Sequence, residues 1–131
     1  MEKKLLMIVN PVAGTKRLRP LLLDVISIFS AGGFATTVMV TGRRGDAAEF
    51  AARGGDFDRI VCCGGDGTLN ETISGMLDAG VTIPLGYIPC GSTNDFAASL
   101  HLSSDPRHAA QAIASGQPHA LDIGRHHDRY F

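Results

Sequence analysis

The apolar residues of the chain fall into short runs that alternate with stretches of helical periodicity. Residues 4–9 are almost continuously apolar and stop at Asn10-Pro11, which is typical of a strand buried on both faces. Over residues 18–29, apolar side chains then recur every three or four positions, with Pro20 in the first turn and Gly32-Gly33 at the end. The chain is therefore predicted to open with a strand and a helix that covers it.

The same alternation continues along the chain. β-Branched and other apolar residues mark the strands, while glycines and N-capping residues mark the helix ends. Asp46 and Glu49 are spaced as in a capping box, which predicts that they open a helix together. The predicted strands are residues 34–40, 59–63 and 84–88, the helices begin near Asp46, Leu69, Ser92 and Asp105, and residues 119–123 look extended.

Strands that alternate with helices at this rhythm predict right-handed crossovers and a parallel sheet. The expected fold class is α/β, a Rossmann-like three-layer domain with helices on both faces of the sheet. In such sheets the loops that leave the carboxyl ends of the strands meet at one edge, where ligands bind. The loops expected at this edge are residues 10–14, 41–44, 64–68 and 89–94.

Composition limits the possible classes of protein. The 131 residues are 44% hydrophobic and 19% charged, which fits one ordinary domain and excludes a disordered or low-complexity chain. The longest apolar run, residues 5–9, is far shorter than the roughly 18 residues of a membrane-spanning helix. A net charge of −1 gives no general attraction for nucleic acid or an anionic membrane, so any anion site must be local.

The cysteine pattern indicates the compartment. The three cysteines show no CxxC spacing, and Cys62 and Cys63 are adjacent at the end of an apolar strand. Neighbouring side chains of a strand point to opposite faces, so these two are predicted to be packed thiols on opposite sides of the sheet. A charged N-terminus instead of a signal peptide adds to the expectation of a reduced, cytoplasmic protein. His126-His127 lies in a polar stretch and is expected to be solvated, not a metal site.

A glycine-rich turn at residues 64–68 carries the candidate chemistry. Between a strand and a helix, such a turn lets a phosphate approach the free N–H groups of the helix. Asp66 would repel a bare phosphate but suits a divalent cation that a nucleotide carries, whereas a plain βα turn with Asp66 as a cap is the alternative. GxxxxGK[ST] and GxGxxG are both missing, which disfavours P-loop NTPases and ordinary dinucleotide dehydrogenases. The basic residues expected near this edge are Lys16, Arg17, Arg19, Arg43 and Arg44.

Three segments together resemble the catalytic N-terminal domain of diacylglycerol kinases and related bacterial lipid, sphingosine and ceramide kinases. They are Asn10-Pro11 with Gly14, GGDGTLNE at residues 64–71, and PCGSTNDF at residues 89–96. The GGDGT part is shared with NAD kinases and 6-phosphofructokinases. The second glycine loop, with Asn94-Asp95-Phe96, is therefore the discriminating part of the resemblance.

The resemblance implies an NAD kinase/diacylglycerol kinase-like fold and the transfer of the γ-phosphate of ATP, with Mg²⁺, to a lipid hydroxyl in phospholipid metabolism. ATP and a lipid would be the partners, with peripheral membrane contact and no nucleic acid. Mg²⁺ would be held, directly or through water, by Asp66, Asp95 and Asp122. The implied ATP contacts are Asn10, Pro11, Val12, Ala13, Gly14, Thr41, Gly65, Asp66, Gly67, Thr68, Leu69, Asn70, Glu71 and Ser92.

For two of the implied metal ligands, the local sequence itself bears on whether the role is structural or functional. Asp95 follows Ser92 at the spacing of a helix cap, so a purely structural role is the alternative for it. Asp122 is a carboxylate within an apolar stretch, where it costs free energy unless it is paired, and this favours a functional role.

The resemblance also implies a division of the chain. Residues 1–116 are expected to form the nucleotide-binding catalytic domain, and residues 117–131 to open a second, β-rich domain that is truncated here. In the family that second domain supplies the general base, so we expect no catalytic residue in this fragment. Because phosphoryl transfer depends on positioning and charge stabilisation, the isolated fragment is expected to bind nucleotide with little catalysis.

Two other functions stay open at this point. The first is an NAD kinase-like or sugar-phosphate kinase, against which the Asn94-Asp95-Phe96 loop argues. The second is a non-catalytic module that binds a nucleotide for regulation.

Overall fold

Five strands and four helices alternate along the computed structural model, which describes residues 2–11, 18–90, 105–116 and the backbone of 120–121. The helices are α1 (Leu22–Ala31, after a 3₁₀ turn at Arg19–Leu21), α2 (Asp46–Ala51), α3 (Asp66–Ala79) and α4 (Pro106–Ala114), and a second 3₁₀ turn spans Gly54–Asp56. The strands are β1 (Lys3–Val9), β2 (Phe34–Val40), β3 (Arg59–Gly64), β4 (Leu85–Pro89) and β5 (Ala120–Leu121).

The strands form one sheet in the order β2-β1-β3-β4-β5. The first four are parallel, as predicted, and β5 pairs antiparallel with β4 at the sheet edge. Since β1 lies between β2 and β3, the chain winds outward in both directions from β1, and this reversal opens a crevice at the carboxyl ends of the strands. The division of the chain after residue 116 stays a prediction.

Helices cover both faces of the sheet, so the predicted three-layer α/β architecture is confirmed for the described residues. In β1, Leu6 and Ile8 pack toward α2 and α3, whereas Leu5 and Met7 pack toward α1 and α4. All four side chains are fully buried. Each buried aliphatic side chain of this kind stabilises the fold by about 1.5–3 kcal/mol.

Most helix ends lie where the capping residues predicted them. The last turn of α1 ends at Gly32, and α3 ends at Gly80, whose φ of 70° is in the left-handed region that favours glycine. At the start of α4, the Asp105 carboxylate accepts the N–H of Arg107 at 2.9 Å. The local capping signals were therefore sufficient at these positions.

The capping box predicted for Asp46 and Glu49 is wrong. Gly45, with a φ of 95°, takes the N-cap position, so Asp46 is already the first helical residue. From there its carboxylate accepts the N–H groups of Gly42 and Arg43 in the preceding loop, not those of its own helix. Glu49 pairs with Arg53 on the exposed side of α2 at 3.3 Å and does not reach back to the helix start.

Cys62 and Cys63 are packed free thiols in the core, as predicted, and Cys90 is a third buried free thiol. Cys62 packs on the face of α2 and α3, and Cys63 on the face of α1 and α4, so adjacent thiols point to opposite layers. Burial raises the pKa of Cys62 to about 12 and the pKa of Cys90 to about 11, and holds the pKa of Cys63 well above its usual range. All three thiols are thus protonated at neutral pH.

The stability of the protein is expected to fall in alkali because of these thiols. Above the usual thiol pKa of 9.0, the unfolded chain loses protons that the folded protein keeps, so the free energy of unfolding decreases as pH rises. Cys62 alone is expected to contribute a loss of about 1 kcal/mol between about pH 8 and pH 10. Urea unfolding of the full-length protein across this range measures the loss.

Cys62→Ser is the matched variant for this measurement. Serine is close to cysteine in size and has a hydroxyl that can hydrogen-bond to Thr72, but it does not titrate in this range. Between about pH 8 and pH 10, the free energy of unfolding of Cys62→Ser is expected to fall less than that of the wild type. Equal losses in both proteins would contradict the prediction.

Some sequence predictions fall outside the part that the structure describes. They are the helix after Ser92, the extended residues 119, 122 and 123, and the solvated His126-His127. Within the described part, every helix falls short of the length and apolar character that a bilayer span requires.

Candidate functional site

A cavity of about 520 Å³ lies at the carboxyl ends of β1, β2 and β3, where the sheet reverses its winding. Segments that follow three different strands line it, so the structure brings together three of the four loops expected at this edge. The fourth loop, residues 89–94, lies largely outside the described residues. The lining residues are Asn10, Pro11, Thr41, Gly42, Arg43, Arg44, Ala47, Gly65, Gly67, Thr68 and Glu71.

The glycine turn after β3 opens α3, as the sequence predicted. Gly65 is the N-cap in an extended conformation, and the helix begins at Asp66. The first N–H groups of a helix have no acceptor within it, and the helix dipole adds positive potential there. A Cβ placed on Gly67 would meet no atom within 4 Å, so this backbone faces open space at the cavity.

A hydrogen bond between side chains joins the β1 loop to α3. The Asn10 Nδ2 donates to Thr68 Oγ1 at 3.0 Å, and the Asn10 N–H donates to the Cys63 carbonyl at 3.0 Å. Gly64 makes room for this arrangement, because a Cβ there would lie 2.9 Å from both the Cβ and the Oγ1 of Thr68. The two loops are thus held together at the base of the cavity.

Tyr87 of β4 supports the glycine turn from beneath. Its hydroxyl donates to the Gly64 carbonyl at 3.2 Å and lies 3.4 Å from Asp66 Oδ1. The side chain is fully buried, and burial raises the pKa of Tyr87 above its usual value, so the hydroxyl stays protonated as a donor. Tyr87 was not among the residues predicted for the site, although a tyrosine in an apolar strand needs a buried partner for its hydroxyl.

The β2–α2 loop, residues 41–45, forms another side of the cavity. Asp46 Oδ2 accepts the N–H groups of Gly42 at 2.7 Å and Arg43 at 3.0 Å. Glu71 Oε1 accepts the Gly45 N–H at 3.0 Å and so connects this loop to α3, the helix that follows the glycine turn. Gly42 and Ala47 also line the cavity and were absent from the predicted contacts.

Several predicted basic residues lie near this edge. Arg43 and Arg44 line the cavity. The Arg43 Nε lies 3.9 Å from Asp46 Oδ1, and because the Arg43 side chain is 87% exposed, its guanidinium is still accessible to an anion. Arg19 donates to the Pro11 carbonyl at 2.9 Å and thereby contacts the β1 loop. Lys16 and Arg17 lie outside the described residues.

The predicted ATP contacts divide into three groups. The side chain of Leu69 packs in the core beneath α3, Asn70 is exposed outside the lining, and Asp66 contacts Tyr87. Those that line the cavity are Asn10, Pro11, Thr41, Gly65, Gly67, Thr68 and Glu71. Those outside the described residues are Val12, Ala13, Gly14 and Ser92.

Of the three aspartates predicted to hold Mg²⁺, the structure describes Asp66, whereas Asp95 and Asp122 lie outside it. Among the described residues, no three His, Cys, Asp or Glu side chains group closely enough to hold a metal ion by themselves. Mg²⁺ in nucleotide sites typically takes one or two carboxylates and completes its shell with phosphate oxygens and water. A single carboxylate at the start of α3 is compatible with that donor set.

A family model, curated relatives and a solved structure all show similarity of this chain to the same family. Residues 4–126 match the family model of the diacylglycerol kinase catalytic domain. Curated diacylglycerol kinases of Staphylococcus saprophyticus and Staphylococcus haemolyticus are each 38% identical over the whole chain, which spans 44% and 40% of their lengths. A crystal structure of a diacylglycerol kinase from Bacillus anthracis superposes with a TM-score of 0.78 at 31% identity, over 88% of this chain and 43% of that one. The chain thus spans less than half the length of these relatives.

Proposed function

The chain belongs to the diacylglycerol kinase catalytic domain family, and from this we infer that it forms the nucleotide-binding half of a lipid kinase. The full-length protein would transfer the γ-phosphate of ATP to the hydroxyl of diacylglycerol or a related lipid. The observation that carries this proposal is the convergence of three loops, distant in sequence, on one cavity lined by glycine backbone, hydroxyl groups and arginines.

The start of α3 would bind the phosphates. Gly65 and Gly67 present backbone without side chains, and the N-terminal end of a 14-residue helix favours an anion. This end of the helix dipole typically contributes about 0.3–1 kcal/mol to the binding of a charge. The Thr68 hydroxyl and the guanidinium groups of Arg43 and Arg44 are further donors along the cavity.

Asp66 would contribute a carboxylate to Mg²⁺ that arrives with the nucleotide. Bound Mg²⁺ neutralises charge on the phosphate oxygens during phosphoryl transfer. The Tyr87 hydroxyl, 3.4 Å from Asp66 Oδ1, orients this carboxylate. Asp95 and Asp122 are the further ligands that we propose from the sequence.

The lipid acceptor requires the enzyme to work at a membrane surface, and we place it on the cytoplasmic side. The general base for the lipid hydroxyl would come from outside residues 1–116. A net charge of −1 offers no general attraction for an anionic membrane, so contact would depend on the acceptor and on local groups.

Transfer of labelled phosphate from ATP to diacylglycerol in mixed micelles tests the proposal with the full-length protein. We expect label in the lipid fraction, and we expect chelation of Mg²⁺ to abolish it. Label in NAD or a sugar phosphate instead would identify the alternative kinase class. Nucleotide binding without transfer to any acceptor would identify a non-catalytic module.

Gly67→Ala tests the nucleotide part of the proposal. The added methyl group would meet no protein atom within 4 Å, so it leaves the fold intact and occupies space at the cavity. We expect the Kd for ATP, measured by calorimetry, to rise about tenfold, because the phosphates can no longer approach the backbone closely. An unchanged Kd for ATP would show that the start of α3 is not part of the binding site.

A further inference from the structure

One side of the nucleotide cavity is a loop with little packing of its own. Gly42, Arg43, Arg44 and Gly45 are all exposed, and two of the four are glycines. A glycine-rich exposed backbone samples many conformations unless hydrogen bonds hold it. The shape of this side of the cavity therefore depends on whatever contacts the loop backbone.

Asp46 makes the principal contacts that hold the backbone of this loop. A single carboxylate oxygen accepts two successive N–H groups, from Gly42 at 2.7 Å and from Arg43 at 3.0 Å. The Asp46 N–H in turn donates to the Arg43 carbonyl at 3.2 Å. The Asp46 side chain is only 19% exposed, although both donors belong to exposed residues, and its negative charge makes these bonds stronger than those of a neutral acceptor.

Glu71 holds the other end of the loop. Its Oε1 accepts the Gly45 N–H at 3.0 Å, which connects the loop to α3 close to the glycine turn. Asp46 thus shapes the loop, and Glu71 places it against the helix that would bind phosphate.

We propose that Asp46 is a positioning residue for the nucleotide, acting through the β2–α2 loop without lining the cavity itself; this rests on the proposed function of the cavity. With the loop held, Thr41 and the backbone of residues 42–44 are in place before ATP arrives. Without Asp46, ATP must order the loop as it binds, and its affinity falls by that cost.

Asp46→Ala in the full-length protein removes the oxygen that accepts the N–H groups of both Gly42 and Arg43. We expect the KM and the Kd for ATP to rise about tenfold, with kcat changed less than about twofold, because ATP orders the loop as it binds and the loop is already ordered when the phosphate is transferred. Asp46→Asn keeps an oxygen that accepts an N–H and is expected to stay within about threefold of the wild-type KM.

Glu49→Ala is the matched control. Glu49 lies in the same first turn of α2 and carries the same charge, but its carboxylate pairs with Arg53 on the exposed side. Its KM for ATP is expected to stay within about twofold of wild type. Amide hydrogen exchange adds a readout without nucleotide, since the N–H groups of Gly42 and Arg43 should exchange faster in Asp46→Ala.

The outcomes separate the inference from the function on which it rests. If wild type binds ATP and Asp46→Ala binds it equally well, the positioning role is overturned while the function stands. Equal weakening by Glu49→Ala, or loop exchange unchanged in Asp46→Ala, overturns it as well. If the wild type binds no ATP, the proposed function fails and the inference fails with it. If Asp46→Ala does not fold, the same measurements are made on Asp46→Ser, whose shorter side chain keeps one acceptor oxygen.

Discussion

Asp66→Asn in the full-length protein is expected to lower phosphate transfer from ATP to lipid at least about a hundredfold. Asparagine keeps the size of the side chain and an oxygen that can accept from the Tyr87 hydroxyl, which lies 3.4 Å from Asp66 Oδ1. What it loses is the negative charge that we propose for Mg²⁺. Initial rates measured across a range of Mg²⁺ concentrations test this, because a lost metal ligand also raises the Mg²⁺ requirement.

Two variants control for other causes of a lower rate. Asp78→Asn removes the same charge near the other end of α3, where the side chain is exposed, and should keep the rate within about twofold. Tyr87→Phe removes the hydroxyl that donates to the Gly64 carbonyl and lies 3.4 Å from Asp66 Oδ1, but it keeps the Asp66 carboxylate. Its rate should therefore fall much less than that of Asp66→Asn. Full activity of Asp66→Asn, with an unchanged Mg²⁺ requirement, would rule out Asp66 as a metal ligand.

Gly75→Ala is expected to destabilise the folded protein by about 3 kcal/mol, although alanine is the better helix former. Helix α3 passes α2 so closely here that a Cβ on Gly75 would collide with the Ala48 carbonyl oxygen, and would lie 2.7 Å from the Ala48 Cα and 2.8 Å from its carbonyl carbon. Backbone atoms cannot rotate away as a side chain can, so the two helices would have to separate. The helix-propensity gain of about 1 kcal/mol is too small to offset that loss of packing.

Gly67→Ala is the matched control, because it makes the same change in the same helix where the Cβ meets nothing within 4 Å. Denaturant unfolding should show Gly67→Ala at least as stable as wild type and Gly75→Ala far less stable. Equal stability of the two variants would contradict the close packing of α2 on α3.

The elements of the fold were largely predictable because their signals are local. The apolar run before Asn10-Pro11 and the helical period before Gly32 each determine an element without knowledge of the rest of the chain. Alternating strands and helices were then sufficient for the parallel sheet, since crossovers have one favoured hand. The glycine turn at residues 64–68 likewise predicted a helix start beside a binding edge.

Other features depended on geometry that no local pattern specifies. Asp46 carries the spacing of a capping box, but the left-handed conformation of Gly45, with a φ of 95°, turns its carboxylate toward Gly42 and Arg43 instead. From the sequence, Tyr87 is indistinguishable from the other residues of a buried strand. It supports the glycine turn because β3 and β4 pair in a register that places Cys62 beside Tyr87 and Gly64 beside Pro89.

The sequence by itself thus determined the order of elements, the α/β class and the edge at which ligands are expected, because backbone preferences and apolar periodicity act over a few residues. Only the tertiary structure decided that Gly75 must lack a side chain, that Glu71 contacts Gly45, and that Asp46 shapes a side of the cavity. Hydrogen bonds and steric contacts change over fractions of an ångström, and distances on that scale depend on how helices and strands pack in three dimensions.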